Sequence, residues 1–147
     1  MTPFQNPTIY IGGLRIDEPI TVLTDFLFIG VCFFAFFKTK QFSAYKGVNL
    51  YRWFFLLTGA STLVAALIGH AFLYQFGVEA KIYGWVTGIF SISFAQFATL
   101  HHTRQSIGQK TFKVLQILNY VEIVVASILL FIVYSFVIKH FFLYLNY

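Results

Sequence analysis

Four apolar stretches, each long enough to cross a bilayer as a helix, constrain this chain more than any other feature of it. About 17 to 25 helical residues cover the roughly 30 Å of hydrocarbon, and runs of that kind occupy about 19–37, 51–76, 82–100 and 114–138. Only 10% of the 147 residues are charged while 59% are hydrophobic, at a mean hydropathy of +0.76. Such a composition leaves too little polar surface to coat a water-soluble globule. The expected fold is therefore all-α, a bundle of four transmembrane helices forming a single domain over residues 1–147. The single cysteine, Cys32, lies in an apolar run and has no partner in the chain for a disulfide.

Charge placement orients the spans. The connection "KTKQFSAYKGVNLYR" carries Lys38, Lys40, Lys46 and Arg52 without an acid, and "HHTRQSIGQKTFK" carries Arg104, Lys110 and Lys113, again without one. Loops enriched in Lys and Arg stay in the cytoplasm, so both termini are expected on the opposite side. The excess of ten basic over five acidic residues is thereby a topological signal, and no nucleic-acid partner is expected. The tail ahead of Pro19 lacks the basic start and cleavage site of a signal peptide, so the first span is expected to be retained. Asp17 is placed to cap the first helix, and Pro19 suits its opening turn, where a missing N–H costs nothing. The expected location is an integral membrane position, in the inner (cytoplasmic) membrane of a bacterium.

Within lipid, apolar side chains gain nothing by meeting one another, so helices associate through small residues and a few polar contacts. Gly84 and Gly88 form a GxxxG pair extended by Ser91 and Ala95, while Ser61, Ala65 and Gly69 form a row of small residues on the second span. These two faces are expected to touch. Trp53, Tyr51, Trp85, Tyr83 and Tyr74 fall near span ends, where aromatic belts form.

Ionisable residues inside a span are costly and point to the bundle interior. There are three such residues: Asp25, His70 and Glu122. At about 1.5 Å per residue, Asp25 and His70 share a depth of roughly 9 Å from the same membrane face. Glu18, Thr21 and Asp25 lie on one helix face, so an acidic stripe leads down toward His70. The expectation is a buried polar cluster of Glu18, Thr21, Asp25 and His70, with the Asp25 carboxylate accepting a hydrogen bond from the imidazole, directly or through one water, and Thr21 or Glu18 close on the outer side. A metal ion or a proton-transfer role at His70 is the alternative, since imidazole beside carboxylate supplies both. On the other side of the bundle, Glu122 and Asn119 are expected to form an inner polar face with Gln96 and Ser93.

No cofactor is expected, with zinc as the alternative. Haem is disfavoured because His101 and His102 lie at the far end of the third span from His70, and His140 follows Lys139 at a helix end. The chain contains no Walker loop, GxSxG, HExxH or CxxC motif.

The segments "RIDEPITVLTDFLF" and "RWFFLLTGASTLVAALIGHAFLY" resemble the first two helices of the alkaline ceramidases, whose superfamily includes the adiponectin receptors. That resemblance covers the N-terminal half. It implies a seven-helix, zinc-dependent hydrolase of lipid amides, with His70 at the position of a zinc ligand and Asp17 and Glu18 at an acidic segment that can bind calcium. Ala66 stands where the family has a serine, Glu79 lies near the place of a further aspartate, and the later His-x-x-x-His pair has no counterpart. The resemblance thus implies a truncated form or a non-catalytic bacterial relative. The leading expectation is a small non-catalytic membrane protein that packs against lipid and against other membrane subunits or copies of itself. The alternative is a ceramidase-like zinc amidohydrolase, incomplete in this chain.

Overall fold

The computed structural model describes residues 7–145, with side chains for all of these except Val78 and residues 137–145. The chain is mostly helical, but the N-terminal tail departs from the all-α expectation. Strands β1 (Thr8–Ile11) and β2 (Leu14–Asp17) pair antiparallel, with Ile11 opposite Leu14 and Thr8 opposite Asp17. Gly12 and Gly13 connect them with φ of 57° and 83°. A two-residue turn with both centres left-handed twists in the sense a hairpin needs, and glycine adopts it without a Cβ penalty.

The hairpin also reassigns Asp17. Asp17 is buried, and its carboxylate accepts hydrogen bonds from Thr8 Oγ1 and Arg15 Nε, both at 2.9 Å, so it closes the hairpin and does not cap the first helix. Glu18 takes the cap position instead, in a left-handed conformation (φ 48°, ψ 51°) and with no side-chain bond to the helix. Pro19 opens helix α1 (Pro19–Lys38) as expected.

A 3-10 turn (Thr39–Phe42) leads into α2 (Lys46–Val64), which starts ahead of residue 51 because its first turn is polar and invisible to a search for apolar runs. The second span is not one continuous α-helix. Beyond Val64 it widens into a π-helical segment, Ala65–Ala71, where the Phe72 N–H reaches the Leu67 carbonyl at 2.9 Å. A short α3 (Leu73–Phe76) and a 3-10 turn (Val78–Ala80) follow, with Gly77 between them at φ 74°. Helices α4 (Lys81–Thr103) and α5 (Gln109–Leu145) complete the described chain.

Among the described residues, three helical stretches are long and apolar enough to cross a membrane: Pro19–Phe42, Lys46–Ala71 and Gln109–Phe136. Helix α4 has the length, at 23 residues, but Thr87, Ser91, Ser93, Gln96 and Thr99 lower its hydropathy. The helices also do not close into a bundle. The main helix contacts join α1 to α2, α2 to α4 and α4 to α5, and no comparable contact joins α1 to α5 among the described residues. The long helices form a row in chain order.

The seam between α2 and α4 is the most polar. Tyr51 and Thr99 share a hydrogen bond of 2.9 Å, Thr58 bonds Ser91, and Ser61 Oγ donates to the Gly84 carbonyl at 2.7 Å. Gly84 lies directly against Ala65, where an added Cβ would sit 3.2 Å from the alanine Cβ. The space beside Gly88 is looser, with Ser61 Oγ 3.6 Å from such a Cβ. Gly69 faces the Lys81 side chain instead of α4's glycines. Between α1 and α2, Gly59 meets Cys32 and the Arg52 guanidinium lies 4.8 Å over the Phe36 ring. Trp53, Trp85 and Tyr83 are exposed, as aromatic residues facing lipid headgroups would be.

Candidate functional site

The hairpin end of the helix row gathers four charged or titratable side chains from three elements. Glu18 comes from the β2–α1 junction, Asp25 from the second turn of α1, His70 from the π segment and Lys81 from the start of α4. The left-handed backbone at Glu18 is disfavoured for a residue with a Cβ. Here it directs the side chain across to the other elements. His70 Nδ1 donates to Glu18 Oε2 at 2.6 Å, and Lys81 Nζ lies 3.8 Å from Glu18 Oε1. One carboxylate therefore joins α1, the end of the second span and α4.

The structure brings Glu18, Asp25 and His70 to one place, and the direct bond of the imidazole is to Glu18, with Asp25 farther off. Asp25 Oδ2 lies 3.9 Å from His70 Nε2, beyond hydrogen-bond range, and this buried oxygen has no hydrogen-bond partner among the described residues. Two features that periodicity does not encode explain the difference. The left-handed turn at Glu18 swings its carboxylate inward, and the π segment rotates His70 away from the register of a regular helix. Thr21, on the intervening face of α1, makes no side-chain hydrogen bond among the described residues. Next to the cluster, Arg15 pairs with Asp17 and lies 5.0 Å over the Tyr74 ring, and the bond to Asp17 raises the guanidinium further above its ordinary range.

A second polar group lies between α4 and α5. Gln96 Nε2 donates to Glu122 Oε2 at 2.8 Å, and Asn119 Nδ2 donates to Gln96 Oε1 at 2.5 Å. Asn119 is 4% exposed, whereas Glu122 is exposed on the outer side of the helix row. Ser93 bonds the Ile89 carbonyl of its own helix and takes no part in this chain of bonds. The expected inner face is thus a chain of bonds that runs from buried Asn119 through Gln96 to Glu122 at the exposed surface.

The zinc alternative can be tested on the geometry. His70 presents Glu18 at Nδ1 and Asp25 at Nε2, on divergent edges of the imidazole, so the two carboxylates cannot join one ring nitrogen around a single ion. Lys81 adds a competing cation at Glu18. Among the described residues no three His, Cys, Asp or Glu side chains converge as a metal site would require. The cluster does not fit zinc. His101 and His102 belong to the opposite end of α4, away from His70, and the His140 side chain lies outside the described residues.

Long apolar helices joined by small residues and buried polar ties define a helical membrane protein. The chain belongs to DUF6962, a family of unknown function whose profile matches residues 20–144. No curated protein and no solved structure matches it. The family carries no assigned activity, so the likeness to ceramidases rests on the quoted residues alone.

Proposed function

We propose that this protein is a non-catalytic polytopic membrane protein that packs against lipid and against other membrane subunits or copies of itself, with all four long helices crossing the bilayer. The observation carrying this reading is the double engagement of Glu18 by His70 and Lys81. The groups best suited to chemistry are used in holding three elements together. Only α4 requires explanation as a span, and its polar residues are satisfied by α2, α5 or its own backbone: Thr58 and Tyr51 on one side, Asn119 and Glu122 on the other. Inside a row of helices such side chains cost little.

Metal analysis of purified protein separates this reading from a zinc amidohydrolase. Sub-stoichiometric zinc, unchanged by His70→Ala, is the expected result. Stoichiometric zinc that is lost in His70→Ala would overturn the non-catalytic reading.

The same proposal places both termini outside the cytoplasm of a bacterial cell. Cysteines introduced singly at Ser43, in the basic turn before α2, and at exposed Gln75, in α3, test it in a Cys32→Ser background. An impermeant thiol reagent added to intact cells should label position 75 and spare position 43. The reverse labelling would invert the topology, and equal labelling would contradict a spanning arrangement.

A further inference from the structure

The basic end of the helix row, opposite the His70 cluster, contains two adjoining spaces that the polar ties described above do not use. The first is a cavity of about 780 Å³ bordered by Tyr45, Lys46, Gly47, His101, His102 and Arg104. The second, of about 300 Å³, shares Lys46, His101 and Arg104 with it. From those shared residues it descends between α2, α4 and α5 along Leu50, Phe97, Leu100, Phe112 and Tyr120. Leu50 and Leu100 lie about one helical turn, or 5 to 6 Å, deeper than Lys46 and Arg104. A cationic mouth thus continues into an apolar groove.

From this continuity we infer that the basic end holds one anionic phospholipid, its phosphate between Lys46 and Arg104 and an acyl chain in the groove. Neither Lys46 nor Arg104 is ion-paired among the described residues, and the connections on this side contain no acid in the sequence. The Arg104 guanidinium is carried 5.2 Å over the Phe112 ring, which holds its charge at the mouth of the groove. Basic pockets between membrane helices attract phosphate headgroups, and each cation near the surface contributes measurably to that attraction. Below the mouth the walls are mostly apolar, with Gln116 and the Tyr120 hydroxyl the exceptions, and so match a hydrocarbon chain better than a free phosphate ion.

Lipid binding to the full chain in a neutral detergent, read by native mass spectrometry with phosphatidylglycerol or phosphatidylcholine, tests the inference. Phosphatidylglycerol is expected to bind at one site, and Lys46→Gln with Arg104→Gln to weaken it about tenfold or more. Lys110→Gln with Lys113→Gln removes the same charge elsewhere on this end and should leave binding within about twofold, because neither residue borders the cavities. Leu50→Trp fills the groove without altering charge and should weaken the lipid as well, which keeps the inference testable if the charge variant fails to fold. Equal binding of both lipids would overturn it, as would an equal loss in the Lys110 and Lys113 control. Inorganic phosphate that competes the lipid away at millimolar concentration would mark the site as one for free anions and would overturn it too.

Discussion

Gly84→Leu should destabilise the protein by about 3 kcal/mol or more, the largest loss expected from any single exchange on the α2–α4 seam. The reason is contact with backbone. A Cβ at Gly84 would lie 3.2 Å from the Ala65 Cβ and 3.6 Å from its Cα, so neither helix can yield by rotating a side chain. A leucine there must push the helices apart, and the hydrogen bond from Ser61 to the Gly84 carbonyl would stretch with them. Gly30→Leu supplies the control, since nothing lies within 4 Å of its added Cβ and it faces outward on α1. Unfolding in increasing concentrations of a denaturing detergent should show a clear loss for Gly84→Leu and little change or a slight gain for Gly30→Leu. Equal responses would mean that the helices are not held at this point.

His70→Ala and Glu18→Ala should each cost about 1.5 to 3 kcal/mol, the range for removing one partner of a charge-assisted hydrogen bond. Both side chains are largely shielded, at 23% and 19% exposure, so solvent screening reduces the effect only in part. Loss of Glu18 also leaves Lys81 without the carboxylate 3.8 Å away. Asp25→Asn behaves differently. Its buried oxygen makes no hydrogen bond and has only the imidazole 3.9 Å away, so replacing this carboxylate by an amide should cost less than about 0.5 kcal/mol or stabilise the protein. A loss for Asp25→Asn as large as that for Glu18→Ala would restore Asp25 as the main partner of the imidazole.

The contrast between these acids marks the limit of what the sequence discloses. Helical spacing places Glu18 and Asp25 on one face and sets both at His70's end of the membrane, because periodicity depends only on a regular backbone. It cannot tell which carboxylate makes the bond, since that is decided by one left-handed residue and by a π segment with no distinctive composition. The small-residue face fares better: a row of glycine, alanine and serine permits close approach whatever the partner, and Ser61, Ala65 and Gly84 do meet. The hairpin has a signal in the sequence as well, Gly12-Gly13 flanked by "IYI" and "LRI", but strands of four residues are too short to stand out beside apolar runs of about twenty. Helix order in space is the least accessible feature. Asn119 and Glu122 on α5 do point to Gln96 of α4, but nothing in the sequence says whether α5 also returns to α1, because an open row and a closed bundle have the same hydropathy.

The central claim, that His70 is a structural tie to Glu18, is tested most directly by a double-mutant cycle. Glu18→Ala, His70→Ala and the double variant are compared with the unaltered protein by the same detergent unfolding. If the imidazole and carboxylate bond each other at 2.6 Å, the double variant should lose less than the sum of the single losses, with a coupling of about 1 to 2 kcal/mol. Additivity within about 0.5 kcal/mol would contradict the tie and show that His70 serves something other than Glu18.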